Sequence, residues 1–206
     1  MAKSKSSRRW LDRHVNDPYV KRTQLDGYRS RAAYKLLEIQ EKDRLLRPGM
    51  HLVDLGAAPG SWSQIASRLV GNQGRVVALD ILPMDAVPGV QLIQGDFREE
   101  AVLDQLKDTL SGEPLDLVLS DMAPNITGTA AVDQARAMYL IELALEFARE
   151  HLKPGGALVV KTFQGSGFDA YLRELRGSFR QVASRKPKSS RPESREVFLV
   201  AKGFHH

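Results

Sequence analysis

An α/β fold, built on one doubly wound, mainly parallel sheet of seven strands with helices on both faces, is predicted by three features of this sequence. Short apolar or β-branched runs alternate with amphipathic stretches of helical period across residues 28–201. Glycine- and proline-bearing breaks separate them, at 47–49, 71–74 and 153–156. Acidic residues gather where the strand runs end, at Asp54, Asp80, Asp96 and Asp121. In a doubly wound sheet the carboxyl ends of the strands are where ligands collect.

A chain of 206 residues with 42% hydrophobic content supports one substantial core with tails. Cysteine is absent, which excludes disulfides and thiolate metal sites. No apolar run approaches the length of a membrane span, and no apolar stretch follows the Lys/Ser/Arg-rich start, so a soluble cytoplasmic protein is expected. Charge is uneven along the chain. Residues 1–31 carry nine Lys/Arg against three Asp, residues 180–195 carry six against Glu193, and residues 32–179 carry 14 basic against 20 acidic residues. Basic charge at both ends suits a polyanion, and Trp10, His14, Tyr19 and Tyr28 add aromatic faces for bases. For residues 1–9 a solvated arm without a specific partner is the competing reading. The expected division is a basic arm over 1–27, contacting RNA, and a folded domain over 28–206.

Taken in order, the elements follow from local pattern. Ala32, Ala33, Leu36, Leu37 and Ile39 give residues 28–43 a helical period, with Ser30 placed as an N-cap and Arg31 and Lys35 on one face. Residues 51–55 form a strand that runs into Gly56-Ala57-Ala58-Pro59-Gly60, a turn with almost no side chain, before a helix over 61–69. Strands follow at 75–80 and 90–93, a helix at 98–110, and a strand at 115–120. Residues 122–133 look like loop and 134–152 a long helix stopped by Lys153-Pro154-Gly155-Gly156. A strand at 157–161, a polar loop at 162–167, a helix at 168–177 and strands at 179–183 and 196–201 complete the chain. The basic segment 184–195 between the last two strands is expected to be exposed and flexible.

The glycine turn is spaced G-x-x-x-G with Pro59 inside it, which argues against the G-x-G-x-x-G cradle of a dinucleotide pyrophosphate. Asp80, about two dozen residues further on, is placed to accept both hydroxyls of a ribose, in NAD or in any other adenosine cofactor. Asp96 offers an acceptor for an exocyclic adenine amine and Phe97 a face for the ring; helix capping by Asp96 and core packing by Phe97 compete with those roles. Together these favour S-adenosylmethionine, whose sulfonium needs no phosphate cradle and whose positive charges suit Asp54 and Asp121. Lys161, ending an apolar strand, is the candidate catalytic residue. Desolvation favours the neutral amine, which can take up or polarise a ribose hydroxyl proton. Asp121 and Glu196 are placed to orient it and Lys35 to position the hydroxyl; a strand-end lysine in an ordinary ion pair is the competing reading. The histidines, at 14, 51, 151, 205 and 206, show no ligand spacing, so no metal is expected.

Five segments carry a family resemblance: RSRAAYKL at 29–36, VDLGAAPGSWSQ at 53–64, DMAPNITG at 121–128, VVKTFQGSGFD at 159–169 and KPKSSRPESREVFLVA at 186–201. With these the chain resembles the FtsJ/RrmJ (RlmE) family of ribosomal RNA large-subunit 2′-O-ribose methyltransferases over roughly residues 28–201. The resemblance implies a Rossmann-like class I S-adenosylmethionine-dependent methyltransferase fold and a Lys-Asp-Lys-Glu tetrad at Lys35, Asp121, Lys161 and Glu196. It implies cofactor contacts at Gly60, Trp62, Asp80, Asp96 and Asp121, with Phe97 beside the adenine. It also implies a uridine in the A loop of 23S rRNA as substrate, methylated within the 50S particle by a chain expected to be monomeric. Ser61 departs from the family pattern, which has a second glycine there; a helix N-terminus accepts serine. Expected RNA contacts are Arg29, Arg31, Arg185, Lys186, Lys188 and Arg191. The alternatives are a non-catalytic RNA-binding or ribosome-assembly factor of the same fold, an NAD-dependent oxidoreductase, and methylation of a transfer RNA or an mRNA cap.

Overall fold

A computed structural model describes residues 17–191 and 194–205. Its seven strands are β1 (His51–Leu55), β2 (Arg75–Asp80), β3 (Val90–Gln94), β4 (Leu115–Ser120), β5 (Leu152–Phe163), β6 (Phe179–Arg185) and β7 (Glu196–Phe204). They form one sheet in the order β3-β2-β1-β4-β5-β7-β6. Strands β1 to β5 pair in parallel, and β7 lies antiparallel between β5 and β6. The chain winds outward from β1 to β3 and then returns to β4 on the other side of β1, so the order reverses between β1 and β4. A crevice opens at the carboxyl ends of the strands at such a reversal. Here it brings the turn after β1 beside the residue after β4, with the Asp121 N–H donating to the Leu55 carbonyl at 3.0 Å.

Six helices cover the sheet: α1 (Pro18–Asp26), α2 (Ala32–Asp43), α3 (Ser61–Val70), α4 (Glu100–Leu110), α5 (Ala130–His151) and α6 (Phe168–Ser178). Alternation along the strands divides the core between the two faces. Val53, Leu55, Val77, Leu79 and Val160 pack with Leu106, Ile141, Leu145 and Leu175 from α4, α5 and α6. Leu52, Val76, Leu119, Val159 and Val200 pack with Leu36, Ile39, Trp62 and Ile65 from α2 and α3. The same alternation turns Asp54 toward α3, where it is fully buried and accepts a 2.6 Å hydrogen bond from Ser63. Among the described residues no helix is long and apolar enough to cross a membrane.

Three expectations are corrected, and part of the arm, for which no conformation was expected, is helical. Residues 18–26, placed in the arm, form α1: Asp17 caps its start by accepting from the Tyr19 N–H, Pro18 fills the first turn, and Gly27, at φ 69°, closes it. The first domain helix starts at Ala32 and not at Tyr28, with the Ser30 hydroxyl accepting the Ala32 N–H at 3.2 Å. Helix α5 starts at Ala130, because Asp133 folds back to accept from the Thr127 and Gly128 N–H groups and orders the preceding turn. The basic segment after β6 is held against the body: Ser189 and Ser190 are buried, and the Glu38 carboxylate on α2 accepts the Lys188 and Ser189 N–H groups at 2.6 and 2.9 Å.

Candidate active site

A cleft of about 640 Å³ lies at the carboxyl ends of β1, β2, β3 and β4, lined among others by Gly56, Ala58, Asp80, Asp96, Phe97 and Asp121. Its floor depends on Gly56. At φ +74° this residue has a conformation that side chains disfavour, and a Cβ there would stand 2.8 Å from the Met122 main chain. Asp80 is fixed by the backbone on both sides of the cleft wall, accepting from the Ala58 N–H and the Leu82 N–H, each at 2.8 Å. Asp96 accepts the Arg98 N–H at 3.0 Å, so it closes a local turn, and both its oxygens take the Arg98 guanidinium. That guanidinium and the local hydrogen bonds hold the Asp96 carboxyl below the usual carboxylate range. Phe97 packs edge to face on Phe147, 5.7 Å between ring centres, while also lining the cleft. Phe97 thus combines core packing with a place in the cleft, whereas Asp96 does not cap the next helix, whose N-cap is Glu99; its side chain binds Arg98 instead.

Gly60 and Trp62 do not line the cleft. Gly60, at φ 99°, caps α3. The Trp62 side chain is 2% exposed, its indole N–H donates to the Ala32 carbonyl at 2.8 Å, and its ring packs 5.6 Å from that of Phe198. Lining residues that sequence reasoning missed include Ile81, Leu82, Arg98, Met122, Arg136 and Tyr139. Arg98 is the one with a local signal, two positions beyond Asp96, where a side chain can reach back across a turn.

The four tetrad positions come together as two pairs. Lys161 Nζ donates to the Asp121 carbonyl at 2.6 Å and lies 3.0 Å from Asp121 Oδ1. Lys35 Nζ lies 2.6 Å from Glu196 Oε1. Sheet register joins the pairs: Lys161 is opposite Phe198 and Phe163 opposite Glu196, so Lys161, Phe198 and Glu196 share one face. Lys35 reaches that face from α2, 5.6 Å above the Phe198 ring. Burial pushes the Glu196 carboxyl up, but the Lys35 charge, hydrogen bonds from Lys35 and Ser190, and the Lys161 charge outweigh it and leave it below its ordinary value. Lys161 is buried and sits two residues inside β5, which runs on to Phe163.

Asp54 is the anomalous carboxyl. It is fully buried and Oδ1 has no hydrogen-bond partner among the described residues. Burial pushes it up to about 7, with the Asp121 and Asp80 charges adding to the rise against the Ser63 hydrogen bond. A carboxyl raised in the folded state stabilises the fold below its unfolded pKa and loses that stabilisation as pH rises through the folded value. The stability difference between wild type and Asp54→Asn is therefore expected to shift against wild type by on the order of 3 kcal/mol between pH 5 and pH 8. Urea unfolding of both chains at the two pH values checks this; a difference that does not change with pH would show that Asp54 does not titrate there.

The basic residues expected at an RNA surface divide into two groups. Arg29 donates to the carbonyls of Pro59, Asp85 and Ala86 at 3.1, 2.6 and 2.5 Å. Arg31 is bound to Asp17 and to the Ser189 carbonyl. Arg185 forks onto Asp43, whose side chain is 2% exposed, at 2.8 and 2.7 Å. These three guanidinium groups are engaged within the protein, by carbonyls and carboxylates remote in sequence. Lys186 and Lys188 are exposed and Arg191 is half-buried, although Lys186 also donates to the Ser194 and Glu196 carbonyls.

The profile of the FtsJ-like methyltransferase family matches residues 28–204. A Chromobacterium violaceum protein named ribosomal RNA large subunit methyltransferase E is 63% identical over 203 residues, covering 98% of this chain and 99% of that one. A Pseudomonas aeruginosa protein of the same name is 60% identical over 204 residues, covering 99% of each. Among solved structures, a Plasmodium falciparum protein described as a ribosomal RNA methyltransferase superposes with a TM-score of 0.77 at 33% identity, over 86% of this chain and 98% of that one. An Aeropyrum pernix fibrillarin, solved with natively bound S-adenosyl-L-methionine, shares the fold with a TM-score of 0.58 at 18% identity, over 84% and 75% of the two chains.

Proposed function

Because the chain belongs to the FtsJ-like methyltransferase family, we propose that it transfers a methyl group from S-adenosylmethionine to the 2′-oxygen of a uridine in the A loop of 23S rRNA, acting as a cytoplasmic monomer on the 50S particle. The observation that carries this reading is the pair formed by the buried Lys161 and the half-buried Asp121 at the rim of an acid-lined cleft. The names of the relatives support the choice of ribosomal RNA.

The cleft's chemistry fits a cationic adenosine cofactor. A floor without a Cβ at Gly56 leaves room for a ligand on the main chain, three carboxylates stand around the cleft, and Asp54 keeps an unpartnered oxygen behind the turn. Asp80 would hold the ribose, Asp96 and Phe97 the adenine, and Asp121 the methionine end. Trp62, with its side chain in the core, would contribute its main-chain N–H in the first turn of α3, as would the turn at Gly60. Bound there, the cofactor supplies a methyl group on a positively charged sulfur.

The chain's own residues supply position and proton handling. Lys161 would polarise or accept the proton of the 2′-hydroxyl as that oxygen bonds to the methyl carbon and the methyl carbon–sulfur bond breaks, the sulfur leaving with the electron pair as a neutral thioether. Asp121 fixes the Lys161 amine by its carbonyl and carboxylate, and Lys35, held by Glu196, positions the hydroxyl. Incubation with labelled cofactor tests the function: label is expected in 50S subunits, and label in transfer RNA or in none of the substrates would contradict it.

RNA binding is the separate contribution of the strap, residues 186–191. Alanine at Lys188 and Arg191 is expected to lower the slope of log affinity against log salt by roughly 0.7–0.9 per lost phosphate contact, with cofactor affinity intact. Arg185→Ala should instead reduce stability by about 3 kcal/mol, because it leaves the buried Asp43 charge without its main partner. Filter binding over a salt series and thermal unfolding separate these outcomes; an unchanged slope would remove the strap from the RNA surface.

A further inference from the structure

We propose that Ser190 is a positioning residue for the Lys35–Glu196 pair, setting the rate of methyl transfer without touching substrate or cofactor. The inference rests on the methyltransferase reading above and deepens it. Ser190 is 5% exposed, and its hydroxyl donates to Glu196 Oε1 at 2.7 Å. That is the same oxygen that Lys35 Nζ meets at 2.6 Å. A carboxylate has broad freedom about its terminal torsion, and a single flexible lysine does not fix it. Two donors from different elements on one oxygen do.

The hydroxyl is itself held in place. Ser190 N–H donates to the Pro187 carbonyl at 3.0 Å, closing a turn, and the Lys188 and Ser189 N–H groups are fixed by Glu38. Arg31 secures the Ser189 carbonyl. Arg31, Lys35 and Glu38 lie three and four residues apart, so one stripe of α2 grips both the strap and Glu196. Among the described residues, Lys35 from α2, Lys161 from β5 and Ser190 from the strap act on the Glu196 carboxylate, and Lys186 reaches the Glu196 carbonyl. A basic strap that looked like a polyanion grip in the sequence thus carries a buried hydroxyl into the catalytic constellation.

Loss of one hydrogen bond to a charged group should slow the transfer step about tenfold. In single-turnover transfer to 50S subunits, Ser190→Ala is expected to show this loss with the KM for RNA and cofactor unchanged. Ser190→Thr, which keeps the hydroxyl, should recover most of the rate. Independently of catalysis, the carbon-13 resonance of the Glu196 carboxyl is expected to titrate at higher pH in Ser190→Ala than in wild type. A wild-type rate, or an unchanged Glu196 titration, would overturn the role, and so would a rate loss accompanied by loss of RNA or cofactor binding. Because the titration needs no methyl transfer, failure of the proposed reaction in wild type is distinguishable from failure at Ser190.

Discussion

Replacing Lys161 with alanine is expected to lower methyl transfer about 10³-fold while leaving cofactor affinity within a few-fold of wild type. The expectation follows from where the amine sits. Lys161 is buried, Asp121 meets it twice, at the carbonyl and the carboxylate, and the Lys35–Glu196 pair shares its face of the sheet. A general acid or base contributes typically 10²–10⁴ in rate, and the Lys35 amine is held by Glu196 rather than by Asp121. Lys161→Arg separates proton acceptance from simple charge, because a guanidinium stays protonated at any accessible pH. Strong loss in both variants, with calorimetric binding of S-adenosylmethionine retained, is the expected pair of results. Arginine activity within tenfold of wild type would show that a fixed cation suffices.

Gly56→Ala is expected to have the largest effect on stability and binding together. The added methyl would meet the Met122 backbone at 2.8 Å, and the residue would also carry a side chain at φ +74°. Left-handed strain and a contact with main chain that cannot swing aside together cost roughly 3 kcal/mol. For a domain of this size that corresponds to a fall in melting temperature of about 6–12 °C. Since Gly56 and Met122 both line the cleft, cofactor affinity should fall at least about tenfold as Met122 is pushed away. Calorimetry and thermal unfolding read both effects. A variant that melts within about 2 °C of wild type and binds the cofactor normally would show that the cleft floor tolerates a Cβ.

What the sequence made legible was whatever is encoded over short distances. Alternating apolar runs specify the seven strands, and their carboxyl ends carry Asp80, Asp96 and Asp121 into one cleft because parallel strands necessarily present those ends together. The helix at Pro18–Asp26 was also signalled locally, by Asp17-Pro18 and Gly27, but it buries only Thr23 and so lacks an apolar stripe. Long-range pairing is another matter. Nothing near Arg185 announces Asp43, and nothing near Ser189 announces Glu38, because each pair is brought together by the sheet across more than a hundred residues. Composition alone therefore made the strap a free basic loop. Trp62 is the converse case: the family resemblance implied a ligand contact, while the period of α3 sends its ring into the core.

Whether Lys161 and its partners direct a methyl group to a ribose oxygen is decided by locating the transferred methyl. Labelled 50S subunits, reacted with wild type or Lys161→Ala, are digested with nuclease and the 23S rRNA fragments resolved by mass spectrometry. The expected result is a single 2′-O-methylated uridine in the A loop with wild type and none with the variant. Label on a base, or the same modified ribose formed equally by Lys161→Ala, would contradict it.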